Sequence, residues 1–195
     1  MTSSHPPKLA DHQRAWLRAI DDYVRRHAAE ADCASVFREF MGRHADAAER
    51  HRREGHLTGS AWLVSADGAR VLLTHHRKLG RWLQLGGHAD GDTDLARVAL
   101  REAQEESGLT DLAVDLGIFD LDRHEIPARG DEPAHWHYDV RHVVRARASE
   151  AFVVSTESNA LAWRDIAALV TDESADGSLR RMAHKWLRDV EVPQP

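Results

Sequence analysis

The 195 residues hold a single cysteine, Cys33, so no disulfide can form within the chain. No window approaches the roughly 18 apolar residues that a bilayer span requires. The opening stretch, Met1 to Pro7, lacks the charged and apolar regions of a secretory signal. These absences point to a reducing, cytoplasmic setting and to no membrane partner. Positive charge is not in excess either: 26 Lys and Arg face 32 Asp and Glu, for a net charge of −6. That balance argues against a duplex nucleic acid as partner, because phosphate neutralisation needs clustered cations. Gly, Ser and Pro form no tract long enough for a linker, and no segment repeats. The chain has 14 histidines, yet no Cys/His spacing of a zinc site is present, which speaks against transition-metal binding.

What is present suffices for one domain with an extension, since 42% of the residues are hydrophobic and 30% charged. Residues 1–55 are poor in glycine and β-branched runs. Trp16, Leu17, Ile20, Tyr23 and Val24 recur at helical spacing and predict a helix over Asp11 to His27. Val36, Phe37, Phe40 and Met41 predict a second, and the charged stretch Ala45 to Glu54 extends it or starts a third. This helical part offers a face for a homodimer.

From Leu57 the period changes. Leu57 to Val64 and Ala69 to Leu73 flank an Asp67-Gly68 pair, the signal of a hairpin. A glycine-rich segment, Gly86 to Asp94, leads into a helix over Asp94 to Ser107, closed by Gly108 as a C-terminal cap. Further strands are expected at Leu112 to Leu121, Tyr138 to Arg145 and Phe152 to Val154, and helices at Trp163 to Val170 and Leu179 to Val190. Mixed strands and helices in one unit give an α/β class.

The helix after the glycines carries the chemistry. With Leu95 at zero and about 100° per residue, Glu102 falls near about −20° and Glu106 near about +20°, on the apolar stripe, with Glu105 at its edge. Carboxylates crowded at i, i+3 and i+4 on a face that packs are costly unless a cation neutralises them. A hard divalent ion with oxygen ligands does so, which favours Mg2+, with Mn2+ as the alternative. The bland reading is a solvated helix whose glutamates pair with Arg97 and Arg101. The preceding Gly86-Gly87 pair, which permits close backbone approach and can aim a carbonyl at the same ion, favours the metal.

The 23 residues Gly87 to Leu109, GHADGDTDLARVALREAQEESGL, resemble the box of the Nudix hydrolase superfamily, G-x5-E-x7-R-E-U-x-E-E-x-G-U with U apolar. Gly87 opens it, Arg101 and Glu102 form its Arg-Glu pair, Glu105 and Glu106 its Glu-Glu pair, and Gly108 with Leu109 close it. Thr93 departs from the pattern, standing where the family has the glutamate that pairs with its arginine, with Asp92 or Asp94 as stand-ins. Leu85 stands where the family often has proline.

The resemblance implies a Nudix-like α/β/α sandwich with a mixed sheet over residues 56–195, preceded by the helical extension, residues 1–55. It implies hydrolysis of the diphosphate bond in a nucleoside diphosphate linked to another moiety, with Mg2+ bound. By the match, Gly86 through its carbonyl, Glu102, Glu105 and Glu106 are the metal ligands, and Arg101 orients the carboxylates. The family often adds a later carboxylate as ligand or base, and Glu157 occupies a comparable place, with Asp120, Glu125 and Asp139 as rivals. The alternative is a nucleotide-binding regulator with little or no turnover, suggested by Thr93 and the extension. An isopentenyl diphosphate isomerase is a third reading, but it needs a reactive cysteine, and Cys33 lies far from the box.

Other clusters carry less. His135 to Tyr138 read as a strand with alternating exposed and buried rings, with base stacking as the rival reading. His75, His76, Arg77 and Lys78 read as an exposed turn or a small phosphate-attracting loop. Cys33 reads as packed.

Overall fold

The computed structural model describes residues 9–155 and 158–191. Helix α1 (Asp11–Arg26) turns Trp16, Ile20 and Tyr23 onto one buried stripe at i, i+4 and i+7. A 3-10 turn, Ala28–Glu30, leads to α2 (Ala31–Arg43), which buries Ala34, Phe37, Phe40 and Met41. The charged stretch 45–54 neither extends α2 nor forms a third helix but runs as turns. Its only buried apolar residues are the adjacent Ala47 and Ala48, too few for a helical stripe.

Strands β1 (Gly55–Val64) and β2 (Arg70–His76) form the expected hairpin, with Gly68 at φ 71° in its turn. Next come β3 (Trp82–Leu83), β4 (Leu85–His88), α3 (Leu95–Ser107), β5 (Leu112–Ile126), β6 (His135–Ala146), β7 (Ser158–Asp165), α4 (Ile166–Thr171) and α5 (Gly177–Glu191). The seven strands make one mixed sheet of order β3-β2-β1-β6-β5, with β4 also paired to β1 and β7 to β2. Only β1 and β6 run parallel.

Three expectations are corrected. Phe152–Val154 is not a strand: the Val153 N–H donates to the Ser107 carbonyl at 2.8 Å, so the segment lies over the end of α3. The expected helix over Trp163–Val170 begins only at Ile166, because residues up to Asp165 complete β7 along β2 and the Asp165 carboxylate caps the helix through the Ala168 N–H. The glycine segment also starts as a strand, since Leu85–His88 pairs with Ala61–Thr58 of β1.

Alternation along β1 builds the layers. Leu57, Ala61 and Leu63 pack under α3 and the extension, whereas Trp62 and Val64 pack under α4 and α5. Being buried on both faces suits a central strand. The extension is not an appendage: Trp16, Ile20, Phe37 and Phe40 share one core with Leu57, Leu95, Val98 and Tyr138. Phe40 stacks on Tyr138 with ring centroids 3.8 Å apart. The apolar face of the extension is thus covered within its own chain. Cys33 packs against the same core, its thiol pushed up mainly by burial.

A charged network crosses the molecule beneath α5. Lys185, fully buried, donates to Asp120 at 2.6 Å, to Glu30 and to Tyr23. Arg141, also buried, binds Asp139 at 2.7 Å and Asp120 at 3.2 Å, while Arg181 bridges Asp120 and Asp122. Burial alone would raise the pKa of Asp120 and Asp122, but the hydrogen bonds and cations around them outweigh it and hold both below the usual carboxylate range.

Two outcomes follow. Phe37→Ala should cost about 3–5 kcal/mol in thermal or denaturant unfolding, with a single transition, because the extension shares the domain's core. For the network, depressed carboxylates stabilise fully above their unfolded value near about 3.9, and that stability is lost as pH falls towards the folded values. Lys185→Met removes one of the cations holding Asp120 down. It should cost about 3–5 kcal/mol at neutral pH and move the acid-unfolding midpoint, followed by circular dichroism, to higher pH.

Candidate functional site

The site is assembled where β4 meets α3. Asp94 caps α3 by accepting from the Arg97 N–H at 3.1 Å, and Gly108, at φ 71°, ends it in the left-handed conformation that glycine adopts without strain. Along the helix Leu95, Val98, Ala99 and Ala103 are buried, Glu102 and Glu106 are half-buried, and Glu105 is exposed. The helical wheel therefore ranks the three acids correctly. Glu106 accepts from the Gly86 N–H at 2.8 Å. Glu102 lies over Gly87, where a Cβ would stand 2.5 Å from its Oε2. Gly87 thus leaves room for Glu102, and the Gly86 N–H holds Glu106 one turn further on, so two half-buried carboxylates come down onto the strand.

Arg101 donates to Glu102 and to the His88 carbonyl, each at 2.9 Å, tying helix to strand. The Glu102 hydrogen bond, aided by the charges of Glu102 and Glu105, raises the Arg101 pKa. The acids around Thr93 do not take over the pairing with Arg101. Asp92 instead holds Arg97, 2.8 Å from its Nε, and Asp94 is spent as the cap. The Thr93 carbonyl accepts from the Trp16 indole at 2.9 Å, so the extension anchors the loop before α3.

Gly86, Arg101, Glu102 and Glu106 are therefore brought together, with Glu105 at the rim; Glu157 lies outside the described residues. Two of its rivals are consumed elsewhere. Asp120 belongs to the buried network, and Asp139 accepts from Thr58, Ser60, Gln84 and Arg141. Glu125 is exposed on β5. Of the expected exposed turn only Arg77 and Lys78 form one; His75 and His76 are half-buried at the end of β2, where His76 Nδ1 accepts from the Lys78 N–H at 3.2 Å.

Residues 135–138 form the expected strand, but exposed and buried rings do not alternate: His135 and Tyr138 are buried and Trp136 and His137 half-buried, because both faces of β6 are covered. Tyr138 faces the extension and Trp136 lies under the Arg123 guanidinium at 3.7 Å, while His135 and His137 point to the opposite face. There the structure adds a group that sequence spacing missed: His56 of β1, His88 of β4 and His137 of β6 converge, with one ring nitrogen from each within 4.8 Å of the others. Their positions are far apart in sequence, and only His137 fell in a stretch expected to be a strand, so no spacing signal linked them. Burial, reinforced by the neighbouring imidazoles, lowers the pKa of His56 to about 4 and of His137 to about 2, and burial lowers His88 as well.

Residues 56–186 match the family model of the NUDIX domain. Similar solved structures include a MutT protein from Methanosarcina mazei Go1, with TM-score 0.58, 17% identity, and coverage of 72% of this chain and 99% of that one. The dihydroneopterin triphosphate pyrophosphohydrolase of E. coli gives TM-score 0.53 and 18% identity over 68% of this chain and 95% of its own. A C. elegans Ap4A hydrolase gives 0.52 and 15% over 69% and 97%. At these identities the likeness is one of fold. No curated protein matches the sequence.

The glycines separate two mechanical roles. A methyl on Gly86 would meet the Ser60 backbone, with its Cα 2.8 Å away, whereas one on Gly87 would meet only the mobile end of Glu102. Gly86→Ala should therefore lower stability by about 1–3 kcal/mol more than Gly87→Ala, read by thermal unfolding.

Proposed function

This chain belongs to the Nudix family, and we propose that it is a pyrophosphohydrolase that uses Mg2+ to hydrolyse the diphosphate bond of a nucleoside diphosphate linked to another moiety. The observation that carries the reading is the descent of Glu102 and Glu106 onto the Gly86-Gly87 strand, with Arg101 clamping helix to strand. Nudix hydrolases use divalent metals, and the donors here suit one. The Glu102, Glu105 and Glu106 carboxylates and the Gly86 carbonyl form an all-oxygen set, the kind a hard cation takes. When bound, such an ion neutralises the diphosphate and acidifies the attacking water.

The chain's own residues then divide the remaining work. Arg101 orients Glu102, and Glu106 holds β4 against α3 through the Gly86 N–H, so that the donors stay in place as the substrate's charge arrives. Glu157 is our choice for the carboxylate that accepts a proton from water, favoured because Asp120 and Asp139 are spent in buried pairs. Residues 56–195 form the catalytic unit in this reading, and the extension, residues 1–55, braces it through α1, α2 and the turns after them. That similar folds occur in an Ap4A hydrolase and in a dihydroneopterin triphosphate pyrophosphohydrolase supports a phosphoanhydride linked to a nucleoside or a related ring as substrate class. Among the described residues no helix is long and apolar enough to cross a membrane.

The test is product analysis on dinucleoside polyphosphates, nucleotide sugars, ADP-ribose, coenzyme A and nucleoside triphosphates, with and without Mg2+. Turnover should require the metal, and Glu105→Gln, Glu106→Gln and Glu157→Gln should each lower kcat by about 100-fold or more. Undiminished turnover in the first two variants would refute the assigned site. Calorimetric binding of a panel member without any product would favour the regulator instead.

A further inference from the structure

We propose that His56, His88 and His137 form a second metal site, for a transition-metal ion with zinc foremost, on the face of β4 opposite the carboxylates. Each residue comes from a different strand, and the three ring nitrogens already lie within 4.8 Å of one another. Zinc bonds imidazole nitrogen at about 2.0–2.1 Å, so tetrahedral ligands stand about 3.4 Å apart. Closing from the observed spacing takes roughly an ångström of side-chain movement.

His56 supplies an independent observation. It is 1% exposed, and neither ring nitrogen has a hydrogen-bond partner among the described residues. An unsatisfied buried polar group costs about 1–3 kcal/mol and calls for a missing partner. A neutral imidazole carries its proton on one ring nitrogen, which leaves the other as a bare lone pair.

His137 is prepared in a different way. His135 Nδ1 lies 3.0 Å from the Pro133 carbonyl, which only accepts, so the proton sits there and His135 Nε2 is an acceptor. His137 Nε2, 3.3 Å away, is then the donor, and its Nδ1 keeps a free lone pair. This carbonyl–imidazole–imidazole relay is the kind of outer support that fixes the tautomer of a metal-ligating histidine.

The donor chemistry separates this site from the other. Neutral imidazoles suit zinc and its transition-metal neighbours, whereas an all-oxygen set suits magnesium. Because the His88 carbonyl also receives Arg101, an ion on the imidazoles would pin the strand that carries Gly86 and Gly87. The site does not depend on the hydrolase reading.

The test uses the full-length chain without a histidine tag, stripped with chelator and titrated with Co2+ in excess Mg2+. Co2+ stands in for zinc, and its visible absorption reports tetrahedral nitrogen coordination. We expect one Co2+ per chain, displaced by Zn2+, with affinity lowered at least about tenfold by His88→Gln and by His137→Gln. Glu105→Gln should leave it unchanged. X-ray absorption at the zinc edge of the wild-type chain should show nitrogen neighbours, a readout that needs no variant to fold. Failure to take up Co2+, an oxygen-only shell, or a Co2+ spectrum lost in Glu105→Gln but kept in both histidine variants would overturn the proposal.

Discussion

The ion network around Lys185 and Arg141 constrains everything else. Both cations are almost wholly removed from water, and a buried charge is tolerable only when its partners are complete. Those partners come from separate parts of the chain. Tyr23 and Glu30 belong to the extension, Asp120 and Asp122 to β5 and Asp139 to β6, and a further cation, Arg181 of α5, shares Asp120 and Asp122. None of these elements can slide without leaving a charge unpaired in the interior, so the network fixes their mutual placement in a way that apolar packing alone does not. Through Asp139 it reaches Thr58 and Ser60 on β1 and Gln84 just before β4. Ser60 is the register partner of Gly86. The charged interior and the glycine strand are therefore one connected structure.

Strand β4 stands between two kinds of donor. Gly87 faces α3 and its glutamates, while His88 turns to the opposite face among imidazoles. Arg101 joins the two by holding Glu102 and the His88 carbonyl at once. A short strand with two glycines suits this position, because any side chain at Gly86 or Gly87 would occupy space that Ser60 or Glu102 now fills.

The extension explains how a box lacking an acid at Thr93 is held in shape. The Thr93 carbonyl is anchored by Trp16, the Gly91 N–H donates to the Ala48 carbonyl at 2.9 Å, and Asp92 is locked onto Arg97. The loop before α3 is thus supported by the extension, which precedes the family-matched region, and by Asp92 on Arg97 within it, and not by an ion pair with Arg101.

The elements with a strong period or punctuation were legible from sequence: α1, α2, α3 with its Asp94 and Gly108 ends, the β1–β2 hairpin and most of β5 and β6. The contiguous pattern from Gly87 to Leu109 was legible too, because its chemistry is set by local spacing on one helix and one turn. Phe152–Val154 and Trp163–Asp165 were misread because short apolar runs fit a strand or a helix equally well, and only pairing with β2 decided the second. What tertiary structure alone determined was which distant side chains meet. Asp120 and Asp139 looked like candidate bases until burial beside Arg141 occupied them, and His56, His88 and His137 carried no shared pattern until the parallel pairing of β1 with β6 and the return of β4 set them together. Local spacing writes a helix face into the sequence, but contacts between strands depend on register and topology, which no short window of residues contains.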